Sequence, residues 1–208
     1  MQPEDSLRER LVEAGVQLVQ AEGVSALGLR EIARRAGVSH GAPRRYFPTH
    51  AALLSAIARR GFIDLARRFT EATGQTAPPR QRLRAMAHAY LRFAGEHRGM
   101  FELMFRHDLL RGQARATGEP PLRDASLPLF ARIVELVDLC PPGAGARRRV
   151  PAQVTAVALW ANVHGLAELS GWGSVELMLG EPDPPPTGDR LDRLITEILD
   201  AHLGQEAR

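Results

Sequence analysis

The chain contains no lysine: all 27 of its Lys-or-Arg positions are arginine. That reads as the codon bias of a GC-rich genome more than as mechanism. Cysteine is almost absent as well. Cys140 stands alone, which excludes a disulfide within the chain and fits a reducing cytoplasm. No run of about 18 apolar residues exists, so no helix is expected to span a membrane. The opening MQPEDSLRER is polar and acidic, unlike a secretory signal. A cytoplasmic, soluble protein is therefore expected, and 208 residues suffice for one or two domains with a real core.

The usual marks of catalysis are missing too. The histidines lie at 40, 50, 88, 97, 107, 164 and 202, none within HExxH and none paired with a carboxylate at zinc-ligand spacing. His107-Asp108 and Glu96-His97 are sequence neighbours, which point to different faces of a helix and form no dyad. Cys140 precedes two prolines with no base nearby, and the GAG at 143–145 follows no strand. No catalytic residue, metal or cofactor is expected. There is no internal repeat, and no segment alternates as a strand does. The expected fold class is all-α.

Against these absences stands the stretch 28–47, GLREIARRAGVSHGAPRRYF. Leu29, Ile32, Ala33 and Ala36 recur at i, i+3, i+4, i+7 and give one helix an apolar face. Gly37 falls where a helix ends in a residue of positive φ. Ser39 is then expected to cap a second short helix. Two helices joined by a glycine-containing turn make a helix-turn-helix, whose second helix can enter a DNA major groove. From Arg30 to Arg60 seven arginines (30, 34, 35, 44, 45, 59, 60) face one acid, Glu31, a local net of +6 in a chain of +3. That is the footprint a phosphate backbone attracts.

LREIARRAGVSHGAPRRYFPTHAALL resembles the DNA-binding domain of the TetR family of bacterial transcriptional regulators, over about residues 7–60. Three departures stand out. Gly28 replaces the usual Thr or Ser at the first cap, Arg44 and Arg45 replace commonly paired tyrosines, and His50 replaces a lysine. A phosphate contact from His50 would weaken as pH rises. The set expected at DNA is Arg30, Ser39, His40, Ala42, Pro43, Arg44, Arg45, Tyr46 and His50. Arg44 or Arg45 is expected to read guanine, while Tyr46, Ser39 and His50 hold phosphates.

Elsewhere the pattern predicts helices over 6–22, opened by a Ser6–Glu9 capping box, and over 50–72, capped by Thr49. Further helices are predicted over 80–96, 100–110, 122–139, 151–171 and 189–203, with loops at 73–79, 111–121, 140–149 and 181–188. The reading head would occupy 1–49, extending into the linking helix 50–72. The remaining body, 73–208, would bind ligand and dimerise. The resemblance implies that the last two long helices pair with their copies in a homodimer, which suits a palindromic operator on double-stranded DNA. The helix of 151–171 is apolar nearly all round, and Ala161 and Gly165 are small enough for close approach.

The segment 158–169 also resembles a TetR-like subgroup marked by Trp160, His164 and Gly165. Such regulators hold a small molecule in the body and release DNA when it binds. The candidate lining is Met86, Tyr90 and Phe93, then Phe101, Met104 and Phe105, then Phe130, Trp160 and His164. Tyr90 and His164 stand out, because a buried hydroxyl or imidazole needs a partner that a ligand could supply. The expected effector is small and mostly apolar. A repressor is the family habit, with the helix 50–72 as lever. The alternative is a constitutive or protein-sensing regulator with no small-molecule ligand.

Overall fold

A computed structural model of the chain describes residues 3–74, 76–110, 121–141, 150–180 and 187–205. Eleven α-helices and one 3₁₀ turn make up the regular structure of those residues, and no strand occurs among them. The elements are α1 (Pro3–Glu22), a 3₁₀ turn (Val24–Ala26), α2 (Leu29–Arg35), α3 (Pro43–Tyr46), α4 (His50–Ala72) and α5 (Pro79–Glu96). They continue with α6 (Arg98–Phe105), α7 (His107–Leu110), α8 (Arg123–Leu139), α9 (Ala152–Gly171), α10 (Ser174–Leu179) and α11 (Thr187–Leu203). The all-α expectation holds.

Helix boundaries follow local chemistry. Gly23 has φ 80°, and its N–H closes on the Val19 carbonyl to end α1. Thr49 caps α4, its Oγ1 accepting the Ala52 N–H at 3.1 Å. Three boundaries differ from expectation. α1 opens at Pro3, so Ser6 lies inside the helix and not at its start; proline at a first turn loses nothing by lacking an N–H. The predicted helix 100–110 breaks at Arg106, whose ψ of 68° is outside the helical range. α10 was unforeseen. Gly173, at φ 70°, restarts the chain after α9, and Leu177 and Met178 then face outward without helical periodicity. Residues 111–120, 142–149 and 181–186, where the sequence predicts loops, lie outside the described residues.

Packing divides the chain into two compact units, Met1–Asp64 with His97–Leu127, and Leu65–Glu96 with Pro128–Arg208. The division falls within α4 and places α6 in the first unit, because α6 packs on α1. The cause is visible at Gly99, where an added Cβ would run into the Val19 carbonyl oxygen. Only glycine lets α6 start so close to α1. Leu11, Leu18, Ile32, Phe47, Leu53 and Ile57 fill the first core, joined by Phe101, Leu103 and Met104 from α6. Phe105 meets Phe62 and Phe101 edge-on, with ring centroids 5.8 and 5.1 Å apart. In the second unit, α9 packs on α5, α10 and α11, and α5 also packs on α11.

Candidate nucleic-acid interface

The helix-turn-helix is built from α2, the turn at Gly37 and α3. Gly37 takes φ 67° and donates to the Arg34 carbonyl, while Val38 donates to the Ala33 carbonyl. Those paired bonds are a Schellman ending, and they satisfy carbonyls that a bare helix end leaves open. Arg10 of α1 adds a third. Its Nη2 donates to the Ala36 carbonyl, 26 residues away. Nothing in the sequence pattern points to it.

The recognition element is shorter than expected. Ser39 is not its cap: Ala42 precedes the helix, already in the right-handed region, and its N–H turns back to the Ser39 carbonyl. Pro43 explains the shift. It has no N–H to give Ser39 four residues back, so regular helix begins at Pro43 itself. Pro43 is buried, so its part is to start α3. Arg30, Ser39, His40, Arg44 and Arg45 are exposed, while Ala42 and Tyr46 are half-buried. Phe47, fully buried, anchors the end of α3 beneath the Arg8 guanidinium, 5.2 Å from the ring centroid.

The positive charge is more selective than the count of seven arginines implies. Arg34 binds Glu31 through both Nε and Nη2, and Arg35 binds Glu31 and Glu22. Arg60 pairs with Glu9. The Arg34 hydrogen bond holds the Glu31 carboxyl far below its ordinary range, at about 2, with Arg35 assisting. Arg30, Arg44 and Arg45 have no ion-pair partner among the described residues. Arg59 of α4, the seventh, has no ion-pair partner among the described residues either, but it is half-buried, so the exposed uncompensated charge gathers on α3 and the start of α2. His50, expected at phosphate, instead has its Nε2 against the Leu27 carbonyl at 2.5 Å, and so ties the start of α4 to the segment leading into α2.

The residues expected around an effector are divided between the two compact units. Phe101, Met104 and Phe105 belong to the first unit, where Met100 and Met104 close over Gly61. Met86, Tyr90, Phe93, Phe130, Trp160 and His164 belong to the second. There the Tyr90 hydroxyl and the His164 Nδ1 lie 2.7 Å apart, and the Trp160 and His164 rings stack at 5.1 Å. Burial pushes the Tyr90 phenol up, against a hydrogen bond from Trp160 that pulls it down. Tyr90 and His164 thus supply each other's partner, which removes the argument that a ligand must. A cavity of about 300 Å³ does open in this unit, but between α5 and α11. Its lining is polar, with Arg80, Arg84, Thr196 and Asp200, and includes none of the expected residues.

Comparison with known proteins gives matches at both ends of the chain. Residues 11–57 match the family described as bacterial regulatory proteins, tetR family. Residues 83–202 match the tetracyclin repressor-like C-terminal domain. The chain is 32% identical over 106 residues to the HTH-type transcriptional activator FasR of Mycolicibacterium smegmatis, covering 51% of this chain. It spans about half, 48%, of that relative's length. Among solved structures, a protein of unknown function from Rhodococcus sp. RHA1 is 30% identical, covers 96% of each chain and superposes with a TM-score of 0.71. A TetR-like transcriptional regulator from the same organism, 17% identical, shares the fold at a TM-score of 0.61, covering 96% of this chain and 97% of that one.

Proposed function

Since the chain belongs to the TetR family of bacterial transcriptional regulators, we propose that it binds a palindromic operator as a homodimer and loses that operator when a small molecule binds its body. The family is one of DNA-binding regulators and not of enzymes. The observation that carries the DNA reading is the exposed Arg44–Arg45 pair on α3, without ion-pair partners among the described residues, while Glu31, Glu22 and Glu9 of the same unit are each paired to another arginine. Either side chain can make a bidentate contact to guanine O6 and N7.

The dimer reading rests on α9. Val154 and Val157 are 56% and 49% exposed on the outer side of a helix whose other side is core. A Cβ built at Gly165 meets nothing within 4 Å, and Ala161 is exposed, so neither small residue is required by packing within its own chain. Close approach of a second α9, with α11 beside it, gives those residues a purpose. For the effector, the Tyr90–Trp160–His164 cluster is the proposed contact, with Met86, Phe93 and Phe130 as its apolar surround. Phe101, Met104 and Phe105 are left out, as core of the other unit. A regulator without small-molecule ligand is the alternative. FasR is named an activator, which favours a second reading of sign: the bound chain recruits transcription instead of blocking it.

The test begins with the purified chain on the duplex immediately upstream of its own coding region, from about 50 to 200 mM salt, with excess random DNA. Tight, competitor-resistant binding is expected. Arg44→Ala or Arg45→Ala should then relax preference at one base pair per half-site by about 1–3 kcal/mol. Equal weakening on all DNA by both variants would sink the guanine assignment. Transcription in vitro from the same duplex decides the sign.

A further inference from the structure

We propose that Arg10, a residue of α1 outside the helix-turn-helix, is a positioning residue for operator reading: its guanidinium fixes the turn that aims α3. The inference rests on the DNA-binding reading above. Four carbonyls at a helix end have no partner within the helix. At α2 the Ala36 N–H takes the Ile32 carbonyl, and the Schellman bonds from Val38 and Gly37 take those of Ala33 and Arg34. The Ala36 carbonyl, at the C-cap itself, receives the Arg10 Nη2. The same nitrogen lies 3.6 Å from where a Gly37 Cβ would stand, so the guanidinium covers the face of the turn.

Two physical effects act together there. A cation at a helix C-terminus is favoured by the aligned peptide dipoles, and a charge-assisted hydrogen bond is stronger than a neutral one. The contact also crosses elements. α1 is the longest helix wholly within the first unit, packed on α2, the 3₁₀ turn and α6. Tying the Ala36 carbonyl to α1 fixes the direction in which the chain leaves α2. Because α3 is a single turn of Pro43–Tyr46, it has little internal length with which to set its own direction. Arg10 thereby acts on where Arg44 and Arg45 point without itself reading a base.

An exposed arginine near DNA has an obvious rival role, contact with phosphate, and the two roles differ in salt. A phosphate contact contributes equally to all sequences, and its loss lowers the salt slope by about one. A positioning contact contributes only where the geometry of reading matters. The probe is the duplex that the wild-type protein enriches from a randomised pool, compared with a scrambled duplex of equal length. Arg10→Met should lower the preference for the enriched duplex by about fivefold, the upper range of a helix-terminal cation. Its affinity for scrambled DNA and its salt slope should stay unchanged. Arg10→Lys, which keeps charge and a donor, should restore most of the preference at unchanged thermal stability. Equal weakening on both duplexes with a shallower slope, or an unchanged preference in Arg10→Met, would overturn the proposal. If Arg10→Met does not fold, an Arg10→Lys protein that folds but loses all preference also overturns it, and full retention supports it. A wild-type protein that enriches no sequence at all would instead overturn the DNA reading beneath it.

Discussion

The two compact units are held by different kinds of contact. In the first, backbone meets backbone where only glycine fits, at Gly99 in the first turn of α6 against the Val19 carbonyl, and the Ile57 side chain of α4 fills the space beside Gly15 of α1. In the second, α5 and α11 are joined by a ladder of charge. Arg80 binds Asp200 and the Gly204 carbonyl, and Arg84 and His88 converge on Asp192. Several of these groups are about a third exposed or more, where an ion pair contributes little net stability. Steric fit at backbone level leaves one arrangement, whereas half-exposed charge pairs can be exchanged for water at small cost. The first unit thus includes a backbone contact that cannot yield, whereas the second adds to its own apolar core a set of polar ties that can.

The largest effect that would sharpen this contrast is core deletion. Phe101 is wholly buried in the first unit, and Phe101→Ala should cost about 3–5 kcal/mol in urea unfolding. Phe130→Ala, at a half-buried site of the second unit, should cost clearly less. Next comes Gly99→Ala. Its methyl meets backbone that cannot step aside, so about 1–3 kcal/mol is expected. Gly61→Ala should be milder in the same melts, because its obstacles are the flexible side chains of Met100 and Met104. If the two alanine variants melt together, backbone contact is not what fixes the first unit.

This difference also governs what could be read from sequence. Helix periods, Gly37 and the Thr49 cap are local signals, and each gives the correct structure. The start of α3 is misjudged because Ser39 has the chemistry of a cap, while the absence of an N–H at Pro43 decides where helix begins. Phe101, Met104 and Phe105 have the composition of a ligand pocket; that they belong to the first core depends on Gly99, 80 residues from the carbonyl it meets at Val19. Tyr90 and His164 satisfy each other across 74 residues, and Arg10 reaches Ala36 across 26. No periodicity encodes such pairings. α10 carries no signal either, since Leu177, Met178 and Leu179 are all exposed.

The Tyr90–His164 contact offers a smaller and more discriminating test of the second unit. Tyr90→Phe removes the hydroxyl and leaves the His164 Nδ1 without it, an expected loss of about 1 kcal/mol in thermal unfolding. Operator affinity in the absence of effector should not change. If the variant melts as the wild type does, the hydrogen bond is not a structural tie, and a ligand is again needed to explain a buried hydroxyl and a half-buried imidazole meeting there.

The smallest effect lies in acid, where the units can be compared through carboxylates whose pKa values are depressed. Arg34 first, then Arg35, hold Glu31 of the first unit down from an ordinary 4.5 to about 2. Arg84 first, then His88, hold Asp192 of the second unit below its ordinary value of 3.8. A carboxyl whose folded pKa lies below its unfolded one adds stability that is fully present above the unfolded value. That stability is lost as pH falls through the folded value. For Glu31 the window runs from about 4.5 down to about 2. Both carboxyls are about a third exposed and their pairs are screened by solvent, so the thermal consequence is small, and the titration itself is the better measurement. Carboxyl chemical shifts should place the Glu31 midpoint near 2 in the wild type and move it toward 4.5 in Arg34→Met. Arg84→Met should raise the Asp192 midpoint without restoring it fully, because the His88 ring still hydrogen-bonds the carboxylate. A Glu31 midpoint near 4.5 in the wild type would mean that Arg34 and Arg35 are not engaged in solution. They would then add to the charge available to DNA, and the selectivity argued for Arg44 and Arg45 would lose its electrostatic basis.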